Sequence, residues 1–266
     1  MRNELFHIGP LTIYGYGTMI ALGILAGVLM ISKRAAEYRC DENRAFSLIV
    51  LCLACGFASA KAAYWIVNWR EILADPGFIV DTLKDGLVVM GGLIGGIAAG
   101  VLYCRKNQLP SLRYLDLLFP SVALGQGFGR IGCLLAGCCY GIPADAHWGI
   151  TFHESPFAPA GIPLVPVQLY ASALNFLNAL VLTTCAARLK RRGEDGHGQI
   201  TALYLILYSL GRFGLEFLRG DTERGTIGIL STSQFLSCLL LVAGAIVMIR
   251  SHAGEKRERG TGAAKS

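Results

Sequence analysis

The chain alternates long apolar runs with short polar stretches, and the runs are too long for the core helices of a globular domain. A membrane-crossing helix needs about 20 mostly apolar residues to traverse the hydrocarbon. Runs of that kind cover residues 11–32, 46–69, 87–104, 117–138, 167–187, 200–219 and 230–249. The third is short and glycine-rich, which leaves open whether it is one clean helix. The pattern predicts an all-α polytopic membrane protein with about seven transmembrane helices. It forms one domain over residues 1–250, with a disordered basic tail over 251–266. The first ten residues hold Glu4, His7 and Pro10 and lack a basic n-region, so no cleaved signal peptide is expected.

Composition sharpens this picture. Of 266 residues, 53% are hydrophobic and 16% charged, with a mean hydropathy of +0.50. Soluble domains carry roughly 25% charged residues, so a wet surface is not available here. The net charge of +6 is distributed by loop. Lys33, Arg34, Arg39 and Arg44 follow the first run; Arg105, Lys106 and Arg113 follow the third; Arg188, Lys190, Arg191 and Arg192 follow the fifth. Arg250, Lys256, Arg257, Arg259 and Lys265 follow the seventh, whereas residues 139–166 contain no Lys or Arg. Cytoplasmic loops carry such an excess, so the N-terminus is expected outside and the C-terminus in the cytoplasm. The basic charge is a topology signal, and no nucleic-acid partner is expected.

The charges left inside the runs are Lys61, Arg130, Arg212, Glu216 and Arg219. A charge in hydrocarbon costs at least ~2.5–3.5 kcal/mol on insertion scales, so such residues usually face a polar cavity. Snorkelling to an interface explains Arg219, at a run's end, about as well. Arg130 lies deep in its run. On the expected orientation all five fall in the outer half, as do Tyr14 and Tyr16, which implies one polar cavity open to the outer leaflet. Arg212 and Glu216 stand four residues apart on one helix face. The cavity keeps a cationic excess, and arginine's planar fork suits a phosphate. An anionic phospholipid head group is the ligand this predicts.

Gly91, Gly92, Gly95, Gly96 and Gly100 give small-xxx-small spacings that let helices approach closely. Gly127-Phe128-Gly129-Arg130-Ile131-Gly132 matches a dinucleotide fingerprint, but it is embedded in an apolar run without the strand that motif requires. Of nine cysteines, Cys52 and Cys55 read as buried apolar residues. Cys133, Cys138 and Cys139 surround Arg130 in sequence and are open to redox or metal chemistry. His147 and His153 follow without a recognised zinc spacing, so neither a metal nor a cofactor is expected. No serine triad, P-loop or metalloprotease helix is present, nor a transporter-type repeat.

These motifs together carry a resemblance. Gly129-Arg130-Ile131-Gly132-Cys133-Leu134-Leu135-Ala136-Gly137-Cys138-Cys139-Tyr140-Gly141 resembles the signature of the bacterial prolipoprotein diacylglyceryl transferases. Ile8-Gly9-Pro10 with Tyr16-Gly17 is similar to that family's N-terminal motif, and Gly91-Gly92-Leu93-Ile94-Gly95 to its H-G-G-L-I-G segment. Pro166-Val167-Gln168-Leu169-Tyr170 resembles P-x-Q-L-Y-E, and Arg212-Phe213 through Glu216-Phe217 and Arg219 resembles R-F-x-x-E-F-x-R. The resemblance implies a multi-pass enzyme of the bacterial plasma (inner) membrane, with its active site toward the outer leaflet. It would move the diacylglyceryl group of phosphatidylglycerol onto the lipobox cysteine thiol of a prolipoprotein, forming a thioether and releasing glycerol phosphate.

Carried over residue by residue, Arg130 and Arg212 would hold the phosphate, Glu216 would orient Arg212, and Tyr16 would add a hydroxyl near the head group. Lys61, Arg219, Gly91, Gly92, Cys133, Cys138, Gly141, Gln168 and Tyr170 would complete the substrate site. Lys61 replaces a family arginine. Met90 stands where the family has histidine, Cys133 and Cys138 replace an asparagine and a glutamate, Val165 replaces a histidine and Ala171 a glutamate. The base that activates the thiol is therefore left open among Glu216, Cys138, His147 and His153. Two other readings stand beside the transferase: a catalytically silent member that binds anionic phospholipid, and an exterior thiol oxidoreductase using Cys138 and Cys139.

Overall fold

The computed structural model describes residues 4–8, 11–75, 77–83, 86–145, 147–153, 155–193, 198–221 and 225–263. It is mostly helical. In chain order the elements are β1 (Glu4–Ile8), β2 (Leu11–Tyr14), α1 (Gly15–Ala35), α2 (Glu42–Val67), α3 (Trp69–Ala74), α4 (Phe78–Asp81), α5 (Val89–Lys106), α6 (Ser111–Ala136), β3 (Ile150–Thr151), β4 (Pro163–Leu164), α7 (Val167–Arg191), α8 (Gln199–Glu216), β5 (Thr226–Ile227), β6 (Leu230–Ser231) and α9 (Thr232–Ala263). The strands form three two-stranded antiparallel hairpins.

Each of the seven apolar runs coincides with a long helix. Five meet the length and apolarity of a membrane span: Gly15–Ala35, Glu42–Val67, Ser111–Ala136, Val167–Arg191 and Thr232–His252. α5 and α8 are each 18 residues long. α8 holds Arg212 and Glu216, and α5 ends in Arg105 and Lys106; at 18 residues each, neither helix has a stretch of span length free of those charges. The helix expected from residue 11 begins only at Gly15, because residues 11–14 pair as β2 with β1. Thr12, Ile13 and Tyr14 are β-branched and aromatic types that favour this extended pairing. α9 continues to Ala263, well into the stretch expected to be disordered.

The chain divides into two compact units, Met1–Arg34 with Leu115–Ser266, and Ala35–Tyr114. In the second unit α2 and α5 lie backbone to backbone. A Cβ on Gly91 would sit 2.4 Å from the Ala63 Cβ and 2.8 Å from the Ser59 carbonyl oxygen, and one on Gly95 would meet Ser59 Oγ at 1.8 Å. α5 is an unbroken helix from Val89, so Gly91 and Gly92 are helical packing positions. α2 starts at an Asp41 cap whose carboxylate accepts from the Arg44 backbone N–H at 3.1 Å. Lys61, 7% exposed, donates to the carbonyls of Thr82 and Gly86. Its ammonium also lies over the Tyr64 ring at 5.1 Å. Those contacts stabilise the buried charge and fasten the connection before α5.

In the first unit α1 packs on α6 through small residues: a Cβ on Gly23 would meet the Gly125 carbonyl at 3.1 Å, and one on Gly132 the Tyr16 ring at 3.1 Å. α7 carries Gln168, Ser172, Asn175 and Asn178 buried along one face. The sequence reading passed over Asp116, which is 1% exposed in α6. Its carboxylate accepts from Gly198 N at 2.8 Å, Thr201 N at 2.7 Å and Thr201 Oγ1 at 2.6 Å. It thereby satisfies donors that the first turn of α8 would otherwise leave open.

Candidate active site

The site is assembled in the first unit where α6 ends. Gly137 adopts φ +74°, closing the helix with Gly137 N to Leu134 O at 3.1 Å and Cys138 N to Cys133 O at 3.1 Å. This pair of bonds is a Schellman end, which requires a left-handed residue there. Cys139 follows at φ +58°, an uncommon conformation for a residue with a side chain. The double left-handed turn folds the chain back so that the sulfurs of Cys133, Cys138 and Cys139 all lie within 4.8 Å of one another. All three are free thiols. The Cys139 thiol is held below its ordinary range by hydrogen bonds from Cys133 and Cys138, with Arg219 and Arg130 adding to the effect.

The next residues are fixed through the main chain. Gly141 N donates to Val165 O at 3.1 Å, Ile142 N to Leu218 O at 2.9 Å, and Gly220 N to Tyr140 O at 3.1 Å. A Cβ on Gly220 would meet the Gly141 oxygen at 2.3 Å, and one on Gly141 would meet Val165 O at 2.5 Å. Gly141 thus serves close backbone contact, not a side-chain role. Gln168, 1% exposed, donates its Nε2 to Cys138 O at 2.9 Å and ties α7 to the same turn.

Arg130 is half-buried beside this turn and lines two cavities. One, of about 30 Å³, is lined by Arg130, Cys139, Gln168, Asn175, Tyr208, Arg212 and Arg219 among others. That is room for one or two waters. The other, of about 420 Å³, is more open and is lined by Tyr16, Gln126, Arg130, Cys133, Asn175 and Tyr208 among others. Arg212 is held: its guanidinium meets Glu216 Oε2 at 2.9 Å and donates to Ser233 Oγ at 2.6 Å. Arg219 is paired with Asp221, its Nε donating to Oδ1 at 2.9 Å. Arg130 makes no hydrogen bond or ion pair with the described residues. A guanidinium left open between two cavities, flanked by two cations whose orientations are fixed, has the chemistry to receive an anion.

The structure therefore brings together Tyr16, Arg130, Cys133, Cys138, Gly141, Gln168, Arg212, Glu216 and Arg219. Tyr170 is exposed and lines neither cavity. Lys61, Gly91 and Gly92 belong to the other unit, where each has the packing role described above. His147 and His153 are exposed on the segment after the thiol turn and line neither cavity. Gly9, Pro10 and Glu154 lie outside the described residues. Tyr208 and Asn175 line both cavities and were not singled out from the sequence. The signal was there: Tyr208 stands one turn before Arg212, and Asn175 repeats the polar spacing of Gln168 and Ser172.

The prolipoprotein diacylglyceryl transferase family matches residues 3–250. A phosphatidylglycerol–prolipoprotein diacylglyceryl transferase of Clostridium tetani is 44% identical over 247 residues, 93% of this chain and 96% of that protein. A second such protein, of Clostridium perfringens, is 41% identical, covering 93% and 94%. One of Finegoldia magna is 34% identical, covering 94% and 96%. With matches of this extent, the chain belongs to the prolipoprotein diacylglyceryl transferase family.

Proposed function

We infer that the protein transfers the diacylglyceryl group of phosphatidylglycerol to the cysteine thiol of a prolipoprotein lipobox. The observation that carries this reading beyond the family match is the open guanidinium of Arg130 between two cavities. Arg130 would take the lipid phosphate, and Arg212, steadied by Glu216 and Ser233, would share the charge that builds on the leaving group. The glyceryl carbon would then lie toward the thiol turn, with Tyr16 and Tyr208 offering hydroxyls along the larger cavity. The Gln168 Oε1 and Asn175 Oδ1 acceptors have no donor among the described residues. Both residues border the smaller cavity and would accept from the head-group hydroxyls. The chemistry breaks the bond between the glyceryl carbon and the phosphate oxygen, forms a carbon–sulfur bond, and releases glycerol phosphate.

The same reading places the protein in the bacterial plasma membrane with seven spans (α1, α2, α5, α6, α7, α8 and α9). Its N-terminus is outside and the site faces the outer leaflet. The loop charges support this orientation. The test is label transfer: purified protein is given phosphatidylglycerol carrying labelled acyl chains and a lipobox peptide. A labelled thioether is expected, with Arg130→Ala as the inactive control. No label above that control would sink the transferase reading and leave a lipid-binding protein.

A further inference from the structure

We propose that Cys133, Cys138 and Cys139 bind a divalent ion of the zinc class, leaving a fourth position for the thiol of the acceptor cysteine. The three sulfurs already lie within 4.8 Å of one another. A tetrahedral zinc with bonds of about 2.3 Å sets its sulfurs roughly 3.8 Å apart, so binding needs only a small contraction. The spacing, one cysteine followed five residues later by an adjacent pair, matches no familiar zinc motif. The fold makes the cluster by the left-handed turn at Gly137 and the left-handed Cys139 itself. Strained backbone of that kind is concentrated at functional sites.

Charge points the same way. Three neutral thiols would gain little from neighbouring arginines, but three thiolates need them. Cys139 shares one cavity with Arg130 and Arg219, and Cys133 shares the other with Arg130. A divalent ion with three thiolates carries one net negative charge, and the arginines offset it. Among the described residues no fourth His, Cys, Asp or Glu joins the cluster. Three protein ligands with an open position is the arrangement of a catalytic rather than a structural zinc.

The proposal rests on the transferase reading and supplies what that reading leaves open, the activation of the acceptor thiol. A thiol bound to zinc is deprotonated outright. The acceptor thiol would pass its proton to solvent as it coordinates. Its sulfur would then give an electron pair to the glyceryl carbon as the carbon–oxygen bond breaks, and that bond's pair would leave with glycerol phosphate. The thioether product is a neutral, weaker ligand and would dissociate. No oxidant or reductant is required.

The experiment uses the full chain, purified in detergent without chelator. Elemental analysis is expected to give about one zinc per chain. Exchange to Co²⁺ is expected to give a sulfur-to-cobalt charge-transfer band, lost in Cys133→Ser and Cys138→Ser. That band should shift with a lipobox peptide and not with its Cys→Ser counterpart. Removing the ion should lower transfer about 100-fold, the usual contribution of a base, with zinc restoring it. Absence of stoichiometric metal and band, or a disulfide among the three cysteines in fresh membranes, overturns the site. Full transfer after metal removal overturns the ion's role and leaves the transferase reading standing. A peptide-shifted band without any transfer upholds the site and sinks that reading instead. The wild-type band and its response to peptide keep the proposal testable if either serine variant fails to fold.

Discussion

At the scale of single residues, the three arginines of the site are not equivalent. Arg219 is committed to Asp221, Arg212 to Glu216 and Ser233, and Arg130 to nothing among the described residues. Arg130→Ala should therefore lower the transfer rate by about 10²–10³-fold, the usual cost of deleting a donor to a developing anion. Arg130→Lys should recover only part of it, since an ammonium cannot grip two phosphate oxygens as a fork does. Initial rates of label transfer measure both. Arg212 and Glu216 make a different prediction. Their side chains are 16% and 2% exposed, and removing one partner of a buried pair costs about 3–5 kcal/mol. Glu216→Leu should lower the melting temperature more than Arg212→Met with Glu216→Leu together. Thermal melts in detergent, read as a double-mutant cycle, decide this. The four cations and Glu216 were legible from sequence because charge inside an apolar run is conspicuous. Their unequal roles were not, since the partners are an ordinary loop residue, Asp221, and a serine in the first turn of α9, Ser233.

At the scale of elements, helices were legible and their edges were not. The α7 start at Val167 follows from Pro166, but β2 took the first residues of the expected first span because β-branched pairing outcompeted helix there. Asp116 escaped notice because its role is to cap α8, more than eighty residues away in sequence. Asp116→Ala should destabilise the protein by about 1.5–3 kcal/mol, the value of hydrogen bonds to a charged group, visible as a lower thermal midpoint. The glycine stripe makes a paired test. Gly91→Ala drives a Cβ into Ala63 and the Ser59 carbonyl, and overpacking of this kind costs about 1–3 kcal/mol. Gly214→Ala, in α8 with nothing within 4 Å of its Cβ, should instead gain about 0.5–1 kcal/mol from helix propensity. Equal midpoints for the two variants would contradict the close packing of α2 and α5.

At the scale of the whole molecule, the remaining expectation is orientation. Basic residues gather at the C-terminal ends of α1, α5 and α7 and in the last part of α9, and the connection from α6 to α7 holds none. Alkaline phosphatase fused after Asp145 should be active, and fused after Arg192 it should be inactive. The reverse pattern would turn the arginine cluster to the cytoplasm and remove the outer-leaflet reading. What sequence could not supply at this scale was the joining of distant motifs. The signature around Arg130 and the segment ending at Arg219 are ninety residues apart, and only the folded chain shows them sharing a turn.

That joining is made by main-chain hydrogen bonds among Tyr140, Gly141, Ile142, Val165, Leu218 and Gly220. Such bonds do not depend on which side chains stand at Cys133, Cys138 or Val165. The frame holding the reaction centre can therefore stay still while its chemistry is rewritten. Side chains at those three positions can be exchanged without unfolding that frame. The two glycines are the positions where that freedom ends.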